Sequence, residues 1–134
     1  MTTAGIADTH TALWYLFGDS RLSARAKEFI DEAAADGRSI DISPISLAEI
    51  VYLVEKGRIT ASALENLRNA LDNPNHVFQE APFTRDVVTA MRKVARDEVP
   101  DMPDRIVAAT AVYFGVPVIS RDGRIRGSNV QSIW

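Results

Sequence analysis

The chain contains no cysteine. That excludes a disulfide framework, a thiolate zinc site and a cysteine nucleophile, and it agrees with a reducing compartment. Only two histidines are present, His10 and His76. A histidine acid–base pair therefore has little to draw on. His76 follows Pro74-Asn75 in a turn and reads as solvated, and His10 reads as a surface or supporting residue beside Asp8. No apolar run approaches the ~20 residues of a membrane-spanning helix. The N-terminus lacks a basic start followed by an apolar stretch, so no membrane association or export is expected and the expected location is cytoplasmic. Positive charge is not in excess: 15 Lys and Arg against 18 Asp and Glu give a net charge of −3. This argues against broad non-specific nucleic-acid binding but leaves room for a local basic rim around an acidic centre. There is no repeat, low-complexity tract or linker. A length of 134 residues, 46% of them hydrophobic, suffices for the core of one domain spanning 1–134.

The punctuation predicts alternating strands and helices. Gly5 to Asp8 reads as a short buried strand, with Thr9 as a cap for a helix ended by Gly18. Ser23 opens a helix to about Ala35, and Ser39 to Ser43 reads as a strand. Pro44 suits the first turn of a helix to Lys56. A further helix runs from Thr60 to about Leu71. Val77 to Glu80 is a strand, Thr84 opens a helix to about Val94, and Pro103 opens one to Phe114, stopped by Gly115 and Pro117. Val116 to Ser120 and Val130 to Ile133 complete the strands. Such alternation indicates an α/β domain with a mostly parallel sheet. The Pro103–Phe114 helix is apolar after its first turn and is expected to be buried on nearly every side. The Pro44 helix is almost as apolar, with Glu49 as the exception on a stripe holding Ile45, Tyr52 and Leu53.

Four carboxylates stand out: Asp8, Glu49, Asp104 and Asp122. Asp8 follows an apolar strand, at the end where open parallel sheets bind ligands; it reads equally as a helix cap, unless Thr9 does the capping. Glu49 is the sharpest signal, because a glutamate on an apolar stripe costs free energy unless it is paired or metal-bound. Asp104 lies in the first turn of a buried helix, where dipole compensation is the plain explanation. Asp101, three residues earlier, reads as the cap or as an auxiliary acid. Arg105 follows and reads as a partner for Asp101 or another acid. Asp122 before Gly123 is an ordinary turn signal, and Ser120 two residues earlier can reach a carboxylate or a water. Three of the four acids fall at strand ends or helix starts that a parallel sheet puts on one edge. Converged in a low-dielectric cleft they would repel strongly, and all-oxygen ligation favours Mg²⁺ or Mn²⁺ over Zn²⁺.

With these residues in hand, the chain resembles a PIN domain, specifically the VapC-type toxins of bacterial and archaeal toxin–antitoxin pairs. The resemblance covers nearly the whole length. It rests on the strand ending in Asp8-Thr9-His10, the Ser46-Leu47-Ala48-Glu49-Ile50 helix, and Met102-Pro103-Asp104-Arg105-Ile106 with its alanine run. Val118-Ile119-Ser120-Arg121-Asp122-Gly123 and the terminal strand complete it. It implies a parallel sheet of four or five strands with helices on both sides. It also implies a metal-dependent ribonuclease, a homodimer and a cognate antitoxin. By motif the acidic set falls on Asp8, Glu49, Asp104 and Asp122, Ser120 stands where relatives carry threonine or serine, and Asp101 matches an additional acid. Thr9 is either a cap or a support.

RNA must enter an acidic pocket despite its own charge. Arg121, Arg124 and Arg126 flank Asp122 and rank first as RNA contacts; Arg85, Arg92, Lys93 and Arg96 decorate another helix. The rival readings are a phosphoacceptor-type acidic-pocket domain and a catalytically idle interaction module. The first would want adjacent acids after strand one and a strand-end lysine, and here Asp8 is alone. A flap-type nuclease would need added elements for which the chain is too short.

Overall fold

A computed structural model describes residues 1–134 throughout. Five strands, β1 (Thr3–Ala7), β2 (Ser39–Ile42), β3 (Phe78–Glu80), β4 (Val118–Ile119) and β5 (Ser132–Ile133), form one sheet in the order β3-β2-β1-β4-β5. Every pairing is parallel. Seven α-helices connect them: α1 (Thr9–Phe17), α2 (Ala24–Ala35), α3 (Pro44–Glu55), α4 (Ser62–Asp72), α5 (Arg85–Ala90), α6 (Met102–Phe114) and α7 (Gly123–Arg126). The α/β class and the five-stranded parallel sheet agree with the reading of the sequence.

Parallel strands need crossovers, and their helices cover both faces. Side chains alternate across the sheet. Ile6 and Val118 enter one core with Val107, Ala108 and Val87, whereas their neighbours Ala7 and Ile119 enter the other with Leu13, Ile30 and Ile50. The first core therefore belongs to α5, α6 and α7 and the second chiefly to α1, α2, α3 and α4.

Local signals set the helix ends. Ser23 accepts a hydrogen bond from Ala26 N–H at 3.0 Å, and Ser43 caps α3 ahead of Pro44. Gly115 closes α6 at φ 68°, a left-handed conformation that a side chain disfavours. Several expectations are corrected. Asp8, not Thr9, caps α1. The predicted Thr84–Val94 helix stops at Ala90 and tightens into a 3₁₀ turn at Met91–Lys93. There the Arg105 side chain donates to the Met91 and Val94 carbonyls at 2.9 and 3.0 Å, doing the work of a further helical turn rather than pairing with Asp101. Burial of α6 is complete from Ile106 to Ala111, but Tyr113 and Met102 are exposed. In α3 only Ser46 and Ile50 are fully buried, and Val51 and Tyr52 face outward. His76 is half-buried rather than solvated. Its Nδ1 accepts from Phe78 N–H at 2.9 Å, and burial pushes its pKa down.

Gly5 lies in β1, three residues before Asp8, where a Cβ would sit 3.1 Å from Phe29 Cε1 and 3.3 Å from the Pro117 carbonyl oxygen. That carbonyl is fixed by a hydrogen bond from Ile6 N–H, so the sheet cannot easily give way. Gly5→Ala is expected to cost ~1–2 kcal/mol through overpacking. Urea unfolding measures it; unchanged stability would show that the Phe29 ring accommodates the methyl group.

Candidate active site

Beside β1 the sheet reverses its order of construction. The chain moves outward through β2 and β3, then returns to place β4 and β5 on the other side. Such a switch point opens a crevice beyond the carboxyl ends of the strands. Asp8 follows β1 and Ser120 follows β4. The two strand ends are joined, because Ser120 Oγ donates to Asp8 Oδ2. Ser120 Oγ also accepts from Asp122 N–H at 3.0 Å, so one hydroxyl orders both acids. Asp8 Oδ1 accepts from Thr11 N–H at 3.0 Å, and Thr11 Oγ1 returns to the Ile119 carbonyl at 2.8 Å.

The other acids arrive on helices. Glu49 projects from α3 and its Oε1 accepts from Thr9 Oγ1, which ties α3 to the start of α1. Asp104 sits in the first turn of α6, while Asp101 caps that helix by accepting from Asp104 N–H at 3.1 Å. Asp122 Oδ1 accepts from Arg124 and Ile125 N–H at 2.8 and 3.1 Å and so starts α7. The plain and functional readings of Asp8, Asp101 and Asp122 therefore coexist: each caps a helix and each lines the same cleft.

That cleft, of about 370 Å³, is lined by Asp8, Thr9, Glu49, Asp101, Asp104 and Asp122, with His10, Trp14, Arg21 and Arg121 at its wall. All four acids singled out in the sequence are brought together. Arg121 lines the cleft, whereas Arg124 and Arg126 stay exposed on α7 and do not. Arg85, Arg92, Lys93 and Arg96 also lie outside it. Two wall residues, Arg21 and Trp14, were not foreseen at the site. Arg21 comes from the loop after α1, and nothing in its local sequence marks it. Trp14 lies on the helix that Asp8 caps, but its spacing of six residues falls between the same-face spacings of a helix, so no signal in the sequence marks it.

The electrostatics centre on Asp104. Its carboxyl is pushed up to about 7, first by burial and then by the negative charges of Asp101, Asp122, Glu49 and Asp8. No three acidic or histidine side chains meet as a ready-made metal cage. The donor set nonetheless fits a hard cation. It is all oxygen, it carries more negative charge than the cleft tolerates, and Mg²⁺ is commonly held by one or two carboxylates with waters completing its shell. A thiolate-seeking metal has no partner here.

The family model of the PIN domain matches residues 6–127, a span that holds all four carboxylates. The chain belongs to the PIN-domain family. Among curated relatives, this PIN domain is 29% identical over 126 residues to Ribonuclease VapC22 of Mycobacterium tuberculosis (strain ATCC 25618 / H37Rv), covering 94% of this chain and 92% of that protein. Among solved structures, it superposes on a chain of VapBC2 from Rickettsia felis, crystallised with a DNA fragment from their promoter. The TM-score is 0.69 at 14% identity, over 98% of this chain and 100% of that one. The VapC-type resemblance read from the motifs agrees with the curated relative, and the structural likeness shows the shared fold.

The sign of the Asp104 shift gives a prediction. Its pKa in the folded protein lies above the ordinary carboxylate value, so folding retains a proton that the unfolded chain has lost. Stability from this group is therefore highest below about 4 and falls as pH rises towards 7. In EDTA, Asp104→Asn is expected to raise Tm at pH 8 by about 3 °C more than at pH 5. Thermal melts at both pH values check it, and an equal difference at both would show that burial and the neighbouring acids do not raise the Asp104 carboxyl.

Proposed function

We propose that residues 1–134 act as one PIN domain with metal-dependent endoribonuclease activity, the toxin of a toxin–antitoxin pair. The observation that carries this is the single cleft lined by Asp8, Glu49, Asp104 and Asp122, in which burial first and the neighbouring acids second push Asp104 up to about 7. Ribonuclease VapC22, similar along most of both chains, supports the substrate class, and VapBC2 supports the fold that carries it.

The proposed ligands of Mg²⁺ or Mn²⁺ are Asp8, Glu49, Asp104 and Asp122. A cation held there would supply an acidified water and offset the charge that develops on the phosphate oxygens. The chain does the rest. Ser120 fixes the orientation of Asp8 and the backbone of Asp122, and Thr9 fixes Glu49. Asp101 shapes the start of α6 and keeps Asp104 pointed into the cleft from a rigid helix. A carboxylate of this set would accept the proton of the attacking water as the P–O3′ bond breaks, and the leaving O3′ would take its proton from solvent. Attack by water, without the ribose 2′-hydroxyl, leaves 5′-phosphate and 3′-hydroxyl ends. Arg121, Arg124 and Arg126 are the candidate RNA contacts, with Arg121 favoured by its place on the cleft wall.

For partners, we infer a homodimer and a cognate antitoxin. Phe17, Val51 and Tyr52 are 51, 41 and 54% exposed on α1 and α3, and such leftover apolar surface generally marks a partner site. A second groove of about 450 Å³, with Leu13, Phe17, Leu53, Ile59 and Ala63 among its walls, shares His10, Trp14 and Arg21 with the acidic cleft. It suits an amphipathic segment from which an arginine or lysine would reach the carboxylates and compete with the cation. No helix is long and apolar enough to cross a membrane, and the reading puts the protein in the cytoplasm, with its RNA.

Two measurements test the proposal. EDTA is expected to abolish cleavage of total RNA and Mg²⁺ or Mn²⁺ to restore it. Asp8→Asn, Glu49→Gln, Asp104→Asn and Asp122→Asn are each expected to slow cleavage by ~10²-fold or more with the fold intact by circular dichroism. Wild-type rates in two of these variants, or full activity in chelator, would remove the mechanism. Separately, light scattering at micromolar concentration is expected to give a dimer mass; a strictly monomeric mass leaves the apolar surface to the antitoxin alone.

A further inference from the structure

Trp14 stands where the acidic cleft meets the apolar groove, and it lines both. Only 7% of it is exposed, yet its ring meets two cations. The guanidinium carbon of Arg121 lies 4.6 Å from the ring centroid and that of Arg21 lies 5.1 Å away. Trp134 packs edge-on against the same ring at 5.9 Å, and His10 is 5.6 Å away. The indole is therefore held from several sides and presents a fixed face.

The two arginines differ in commitment. Arg21 forks onto Asp19, Nε to Oδ1 at 3.0 Å and Nη2 to Oδ2 at 2.7 Å, and this pairing holds the Asp19 carboxyl down at about 2. Arg121 is flanked in sequence by Ser120 and Asp122 and lines a cleft rich in carboxylates. A guanidinium in that setting ordinarily closes onto the nearest carboxylate. Arg121 does not: the ion pairs of the molecule are Arg21–Asp19, Lys27–Asp31 and Arg38–Asp36. It rests on the Trp14 ring instead, drawn by the negative face of the indole.

We propose that Trp14 is a positioning residue that holds Arg121 off the carboxylates, so that its guanidinium takes a backbone phosphate of single-stranded RNA at the mouth of the cleft. The inference rests on the ribonuclease reading and narrows it to one cation among the several arginines near Asp122. Its physical logic is a separation of charges. If Arg121 paired with Asp122 or Asp8, it would neutralise a proposed metal ligand and lose its own donors. Kept on the indole, it leaves the acids free for a cation and offers a planar fork to a phosphate that those acids would otherwise repel. Arg25, exposed on α2 and outside both the cleft and the groove, carries the same charge and makes a control.

The test is the salt dependence of RNA binding. A fluorescein-labelled, single-stranded RNA oligonucleotide is titrated with protein in EDTA over a series of NaCl concentrations, read by fluorescence anisotropy. Loss of one phosphate contact makes the slope of log K against log salt shallower by ~0.7. Arg121→Ala is expected to show that change with an unaltered Tm, and Arg25→Ala to keep the wild-type slope. Trp14→Phe keeps an aromatic face and is expected to keep the slope, while Trp14→Leu matches Arg121→Ala and adds nothing to it in the double variant. Should Trp14→Leu fail to fold, Trp14→Met, which fills more of the space and also lacks an aromatic face, decides the point and is expected to match the Arg121→Ala slope. A wild-type slope in the folded Trp14 variant would overturn the role of Trp14, and a wild-type slope in Arg121→Ala would overturn the phosphate contact, both leaving the ribonuclease reading intact if the wild type cleaves RNA. A wild-type protein that neither binds nor cleaves RNA would overturn both.

Discussion

The reversal of strand order beside β1 is the constraint on which the site depends. It places the ends of β1 and β4 side by side with no connecting loop between them, and the hydroxyls of Ser120 and Thr11 tie them together. Ser120 Oγ holds Asp8 on one strand and the Asp122 backbone on its own. That bridge adds to the backbone N–H groups of Thr11, Arg124 and Ile125, which hold the two carboxylates at the starts of their helices. So held, they face a cleft whose remaining acids come from helices anchored in the two cores.

Packing makes the electrostatic strain sustainable. α6 carries Asp104 at its exposed end and buries Ile106 to Ala111 without interruption. A helix gripped over that length cannot swing its first turn away from neighbouring acids. Arg105 adds to the grip by reaching the carbonyls of Met91 and Val94. α3 is held more lightly, by Ile50 in one core and Ile45 against the other, and Thr9 supplies the hydrogen bond that fixes Glu49. The stability of the α6 core thus offsets the cost of crowding like charge, a trade usual at functional sites.

Much of this was legible in the sequence because strong local signals coincided. The strand and helix alternation, the glycine stops and the Pro44 and Pro103 starts gave the element order. Glu49 on an apolar stripe and Asp104 before an alanine run marked the site. What was not legible depended on contacts between distant segments. Asp8 was expected to leave capping to Thr9, but Thr9 is engaged by Glu49, forty residues away. The one-turn helix α7 was hidden in an Asp-Gly turn signal, since both outcomes use the same cap. At the turn after Ala90 the carbonyls of Met91 and Val94 are taken up by Arg105, a contact that local propensity does not contain. Arg21 joins the site only because the loop after α1 folds back over the Trp14 ring.

The outer strands have a bearing on how this protein meets others. β3 pairs over three residues and β5 over two, so neither margin of the sheet offers a length of unpaired backbone that another strand could extend. Such short margins disfavour association by main-chain zippering. The helical faces are the larger surface, where fit is decided by shape and by the size of individual residues. A binding surface of that kind can diverge between close copies of one fold by a few substitutions, without disturbing the sheet that holds the acids.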